Sequence, residues 1–167
     1  MVEPSEWKAT FRLMTESDIP QVQALDKLSF SLPWPESAFH YEVKENTASR
    51  CWVAEVQPDG VIAAILVIWL IIDEAHIGTL AVHPQYRRKG LAEAILRLGL
   101  TEAAHEGARA AYLEVRAGNT AAINLYKKFG YIPVTVRPRY YHDNNEDAVL
   151  MNLEPDAFEK LISSNPK

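Results

Sequence analysis

The chain has 167 residues, with 17 Lys and Arg against 22 Asp and Glu and a formal net charge of -5. One domain fits this length, and a fold of this size hides about 70% of the surface its extended chain exposes, so its core needs neither disulfides nor a structural metal. The acidic balance argues against direct nucleic-acid binding, while the single cysteine, Cys51, excludes an internal disulfide and fits a reducing, cytoplasmic setting.

The start Met1-Val2-Glu3-Pro4 is acidic, with no long apolar region behind it, and is not expected to be a secretory signal. Phe11 to Met14 is a short candidate strand. Ser17 and Asp18 offer caps for a helix that presents Val22, Leu25 and Leu28 at helical spacing. Pro33-Trp34-Pro35 interrupts it, and a second helix follows with Pro35 early and Phe39 and Val43 on one face. Cys51 to Val56 reads as a strand, Pro58-Asp59-Gly60 as a hairpin turn, and Val61 to Ile72 as a buried return strand or a bulged strand pair. That run is the most hydrophobic in the chain, yet its 12 residues fall short of a membrane-spanning helix, which wants about 20. No membrane partner is expected.

Ile77 to Val82 is a further strand, stopped by His83-Pro84. From Gly90 the period changes: Leu91, Ala94, Ile95 and Leu98 share a helical face, and the helix runs to about Glu106 with Gly107 as its C-cap. Ala110 to Arg116 alternates as a strand, with Ala111, Leu113 and Val115 on one side and Tyr112, Glu114 and Arg116 on the other. Gly118-Asn119-Thr120 caps a helix that carries Ala122, Leu125, Tyr126 and Phe129 and ends at Gly130. Strands Tyr131 to Val136 and Ala148 to Leu153 enclose a polar, tyrosine-rich loop, and a helix from Asp156 to Ile162 is expected to be peripheral. This order predicts a single α/β domain over residues 1–167, with its motifs in 10–153 and an extension at 154–167. Its sheet is expected to be mixed and largely antiparallel, with helices on both faces.

Arg87, Arg88, Lys89 and Gly90 stand between a strand end and a helix start. The first turn of a helix leaves backbone N–H groups unpaired, and a phosphate placed there gains their hydrogen bonds and the favourable end of the macrodipole. Gly90 lets a phosphate approach without meeting a Cβ. Arg-Arg-Lys-Gly is equally an ordinary surface turn before a helix. There is no Gly-rich loop ending in Lys-Ser/Thr and no Gly-x-Gly-x-x-Gly fingerprint. The five His residues do not form a recognised ligand spacing, so no metal is expected.

His83 to Ala92 resembles the acetyl-CoA signature of the GNAT superfamily of N-acetyltransferases, (Gln/Arg)-x-x-Gly-x-(Gly/Ala), through Arg87, Gly90 and Ala92. Ala92 stands where a second glycine is more frequent. The resemblance implies acetyl-CoA as cosubstrate, with the turn Arg87, Arg88, Lys89, Gly90, Leu91 and Ala92 binding the pyrophosphate. It further implies that Leu80, Ala81 and Val82 pair with the pantetheine beside a splayed pair of parallel strands.

Glu114 lies near the end of its strand, and Asn119 and Tyr126 are almost two helical turns apart, so that both project from one face. A carboxylate and a phenol that reach one centre can serve amide formation from a thioester. The carboxylate takes a proton from the attacking amine, and the phenol donates to the departing thiolate. A protein N-terminus is the easier acceptor, since its amine titrates near 7.7–8.0 against about 10.4 for Lys. The ordinary readings are a core-edge Tyr126 and a solvated Glu114.

Leu113 to Tyr131 resembles the closing motif of the ribosomal-protein-alanine N-acetyltransferase branch and its N-terminal acetyltransferase relatives: Leu-Glu-Val-Arg, then Asn-x-x-Ala-x-x-Leu-Tyr-x-x-x-Gly-(Phe/Tyr). By that resemblance Glu114 is general base, Tyr126 is general acid on the CoA side, Asn119 lies at the pantetheine, and the Val82 N–H is an oxyanion donor. Arg137-Pro138-Arg139-Tyr140-Tyr141 with Glu146-Asp147-Ala148, and Phe30-Ser31-Leu32-Pro33-Trp34, are similar to the branch's two peptide-groove loops. They imply substrate contacts at Trp34, Tyr140 and Tyr141. The implied reaction is direct transfer of acetyl to a protein N-terminal α-amine, such as the N-terminal alanine of a ribosomal protein, by a monomer or weak homodimer. Acetylation of a small amine is one alternative. Another is a non-catalytic acyl-CoA-binding module, whose sign is Glu114 and Tyr126 turned away or buried. Glu74 and His76 offer a second proton relay.

Overall fold

Residues 8–164 are described in this computed structural model. The start Met1-Val2-Glu3-Pro4 and both ends of the 1–167 span lie outside the described residues. β1 (Lys8–Leu13) begins earlier than its apolar residues require, because main-chain pairing carries it. Its antiparallel register with β2 (Ser49–Gln57) runs from Lys8↔Gln57 to Leu13↔Trp52.

Asp18, not Ser17, is the N-cap of the first α-helix, and the 3-10 turn ahead of it opens at Thr15. The Thr15 N–H donates to Asp18 Oδ2 at 2.8 Å, closing a capping box over a short 3-10 turn that leads into α1 (Ile19–Ser29). Arg12 clamps the same carboxylate at 2.7 and 2.8 Å and reaches Glu55 at 2.9 Å. The bond from Arg12 holds the Asp18 carboxyl below its usual range. The buried face of α1 is Ile19, Val22, Leu25 and Asp26. Leu28 was expected there but is 59% exposed, since the helical repeat carries it past the edge of that stripe. α2 (Glu36–Lys44) starts from Pro35 as N-cap and buries Phe39.

β3 (Val61–Ile71) is one strand, buried from Ile62 through Ile68. The apolar run outlasts it: Ile72 has φ 58 and is 96% exposed, in the turn before β4 (Glu74–Val82). α3 (Leu91–His105) buries Leu91, Ile95, Leu96, Leu100 and Ala103. Ala94 is exposed and Leu98 only half-buried, so the inner stripe is rotated from the expected one. β5 (Ala110–Arg116) follows the expected boundaries and alternation. α4 (Thr120–Phe129) ends on Gly130, whose φ of 100 is the left-handed stop that glycine adopts without strain.

The tyrosine-rich loop is mostly strand. β6 (Ile132–Tyr141) and β7 (Glu146–Leu153) extend through it, leaving a four-residue turn at 142–145. α5 (Pro155–Ser163) is not peripheral, because Phe158 is 3% exposed.

The seven strands form a sheet in the order β1-β2-β3-β4-β5-β7-β6. β5 with β7 and β6 with β7 are antiparallel, and β4 with β5 is parallel from Glu74↔Ala110 to His76↔Tyr112, so the sheet is mixed as expected. Within the chain two compact units are distinguished. Of the described residues, one unit holds those up to Val67 together with Thr79–Gly99; the other holds Ile68–Gly78 and those from Leu100 onward.

Candidate active site

The expected site residues fall into both units, and each group has its own geometry. In the first unit β4 delivers Leu80-Ala81-Val82 to a turn that begins at His83. The His83 N–H donates to the Ala63 carbonyl at 2.8 Å, and the His83 ring accepts the Gln85 N–H at 3.3 Å. Arg87 is committed locally: its Nε donates to the Val82 carbonyl at 3.1 Å. Lys89 Nζ stands 5.8 Å from the Tyr86 ring centre.

Two residues of the turn are left-handed, Arg88 at φ 64 and Gly90 at φ 79. Nothing lies within 4 Å of where a Gly90 Cβ would stand, so the site offers open space there, and its backbone angle is what calls for glycine. The first helical bond of α3 is from the Ala94 N–H to the Gly90 carbonyl at 3.0 Å, so the amides ahead of Ala94 have no carbonyl within the helix to bond. Amides at a helix start, flanking cations and open space suit a diphosphate. These features fit the phosphate end of acetyl-CoA.

Trp34 belongs to the same unit. Its N–H donates to Asp26 Oδ2 at 2.7 Å, and its ring lies 5.2 Å from that of Phe39. Asp26 is fully buried, with Oδ1 lacking a hydrogen-bond partner, and burial pushes its carboxyl above the usual range. Sequence reasoning missed Asp26. Its signal was a carboxylate four residues after Val22, within the apolar stripe of α1.

In the second unit β5 presents Glu114, with its side chain about one-third exposed. Arg137 Nη1 donates to Glu114 Oε1 at 2.9 Å, its guanidinium lies 5.7 Å from the Tyr140 ring centre, and the Glu114 carboxylate raises the Tyr140 phenol. Tyr140 meets Tyr141 edge-on at 5.2 Å. Arg116 covers the Tyr141 ring at 3.9 Å and also bonds Asp143, Asn144 and Glu146, so it joins the end of β5 to the β6–β7 turn. Burial pushes the Tyr141 phenol up, against the opposing pull of Arg116.

Tyr126 is 6% exposed and lies 5.6 Å from Tyr131, whose buried hydroxyl has no hydrogen-bond partner. Burial raises the Tyr126 phenol far above its ordinary value, with the nearby Tyr141 as a second cause. Tyr126 therefore stays protonated, the form a proton donor needs. Its burial is half of the sign expected of a non-catalytic module, and the exposed Glu114 lacks the other half.

Asn119 does not share the buried face of Tyr126. It is the N-cap of α4, and its side chain accepts the Ala122 N–H at 3.2 Å. Glu74 and His76 pair with each other at 2.8 Å, and the His76 ring rests 5.3 Å from Tyr112, whereas Glu114 is tied to Arg137 and Tyr140. Cys51 is buried and its thiol is pushed up by burial, which suits packing rather than nucleophilic attack. Among the described residues no group of three His, Cys, Asp or Glu is placed to hold a metal ion, and no helix is long and apolar enough to cross a membrane.

The acetyltransferase (GNAT) family model matches residues 19–131. The chain is 33% identical over 146 residues to the [ribosomal protein bS18]-alanine N-acetyltransferase of Escherichia coli, covering 86% of this chain and 96% of that protein. It is 35% identical over 149 residues to the N-alpha-acetyltransferase of Sulfurisphaera tokodaii, covering 81% and 86%. The crystal structure of the ribosomal-protein-S18-alanine N-acetyltransferase from Escherichia coli superposes with a TM-score of 0.79 at 31% identity, over 89% of this chain and 94% of that one.

Proposed function

This chain belongs to the acetyltransferase (GNAT) family, as an acetyl-CoA-dependent N-acetyltransferase, and from that premise we propose that its acceptor is the α-amino group of a protein N-terminus. An alanine-led ribosomal protein in the cytoplasm is the acceptor of first choice. The observation that carries this reading is likeness over most of the chain to two enzymes whose names specify that chemistry, one for a ribosomal-protein alanine and one for α-amines.

Bound acetyl-CoA supplies an activated acyl carbonyl. The chain's own residues do the rest. The amides and cations from Arg87 to Ala92 bind the diphosphate, and the main chain of Leu80-Ala81-Val82 holds the pantetheine, with the Val82 N–H directed at the carbonyl oxygen. Asn119 is committed to the start of α4: its side chain accepts the Ala122 N–H, its own N–H donates to the Arg116 carbonyl and its carbonyl accepts the Ile123 N–H. Glu114, directly or through a water, takes the proton from the attacking amine. Tyr126 gives its proton to the departing sulfur, a role supported by a phenol that burial keeps protonated. Trp34, Tyr140 and Tyr141 contact the acceptor peptide. An α-amine suits this arrangement because it needs less help to lose its proton than a Lys side chain does.

The test is a peptide array carrying different first residues, read by mass spectrometry beside a panel of polyamines and amino sugars. Acetylation of peptide α-amines, with alanine among the best, is the expected result. Turnover of small amines alone would remove the protein acceptor.

A further inference from the structure

Glu146-Asp147 belongs to the stretch that resembles a peptide-groove loop, a resemblance that implies no separate role for Asp147. Resting on the reading that Glu114, Tyr140 and Tyr141 serve the acceptor, we propose that Asp147 is a positioning residue: it holds Arg139 in a left-handed turn of the β6 backbone that sets Tyr140 against the Arg137 side chain bonded to Glu114.

The ladder between β6 and β7 contains the reason. Arg137 pairs with Ala148 and Tyr141 pairs with Glu146, so Pro138, Arg139 and Tyr140 stand opposite the single residue Asp147. Two extra residues must be absorbed there as a bulge. Pro138 has no N–H to give, and the N–H of Arg139 is donated to Asp147 Oδ1 at 2.8 Å. Arg139 has φ 51, a conformation unfavourable for any residue with a Cβ. The carbonyl of Asp147 accepts the Ala117 N–H at 3.0 Å, which fixes the latch to the chain just beyond β5.

The bulge changes which side chains meet. In an unbroken strand, residues three apart point to opposite faces. Arg137 and Tyr140 are three apart, yet the Arg137 guanidinium that bonds Glu114 also lies 5.7 Å from the Tyr140 ring centre. They meet across the bulge that Asp147 closes. The latch thus acts through the backbone and touches neither acceptor nor acetyl-CoA.

The decisive experiment compares Asp147→Ala, Asp147→Asn, Arg139→Gly and the double variant D147A/R139G in steady-state kinetics with acetyl-CoA and an alanine-led peptide. D147A should raise the peptide KM about tenfold while leaving the acetyl-CoA KM within about twofold. D147N keeps an oxygen acceptor and should stay near the parent. Glycine adopts the left-handed angle unaided, so R139G alone should be near the parent and should recover most of the loss in D147A. Amide hydrogen exchange at Arg139 should quicken in D147A. A parent-like peptide KM in D147A, or a loss that R139G fails to recover, overturns the latch. If the parent turns over only a small amine, the acceptor reading falls, and the same variants assayed on that amine still decide the latch.

Discussion

The turn from Arg87 to Ala92 and the cluster around Glu114 are built from different materials. The turn is mostly backbone. Apart from the His83 N–H bond to Ala63, its bonds stay local, from Arg87 to Val82, Gln85 to His83 and Ala94 to Gly90, and two left-handed residues shape it. The cluster is mostly side chains, and its bonds join segments distant in sequence: Glu114 to Arg137, Arg116 to Asp143, Gly118 to Glu146. A backbone device should tolerate a changed side chain and fail on a changed dihedral. A side-chain device should do the reverse.

The largest effects should come from the cluster. Glu114→Gln and Tyr126→Phe keep shape and remove proton chemistry, so each should lower kcat by about 10²- to 10³-fold with little change in the acetyl-CoA KM. Full activity in Y126F would remove the proposed acid. Next comes the turn. Gly90→Ala meets no neighbour but must hold φ 79, which costs about 1–2 kcal/mol and should weaken CoA about tenfold by titration calorimetry. The peptide KM should not move; a comparable rise in it would break the division between the two regions.

Smaller still is Arg88→Gly, which separates shape from charge in the turn. Relief of the left-handed arginine should offset the lost cation, leaving CoA affinity within about threefold of the parent. The smallest expected change is none. Because the Tyr126 phenol is raised, it remains protonated through the ordinary phenol pKa of about 10. Its acid form is lost only as pH rises past that raised value, so kcat should show no Tyr126-dependent fall below pH ~10. A Y126F variant whose pH profile loses a limb in that range would contradict the buried phenol.

The same contrast explains what could be read from sequence. The turn and β5 were legible because their signals are local: three cations before a glycine, and strict alternation from Ala110 to Arg116. Gly130 likewise declared the end of α4. From sequence the stretch Arg137 to Tyr141 reads as a loop, since two prolines nearby and a polar run hide a strand that exists through its pairing with β7. Arg116 was read only as an outward residue of β5, because its ties to Tyr141 and the 143–146 turn belong to the folded chain. Asp26 was invisible for a related reason. A buried carboxylate is recognised by what surrounds it, here the Trp34 amide and the inner face of α1.

The most direct test of this division of labour is to measure CoA binding and single-turnover acetylation of an alanine-led peptide side by side in E114Q. The CoA dissociation constant should stay within about twofold of the parent, and the transfer rate should be at least about 100-fold slower. Parent-like transfer, or a loss of CoA affinity as large as the loss of rate, would contradict that division.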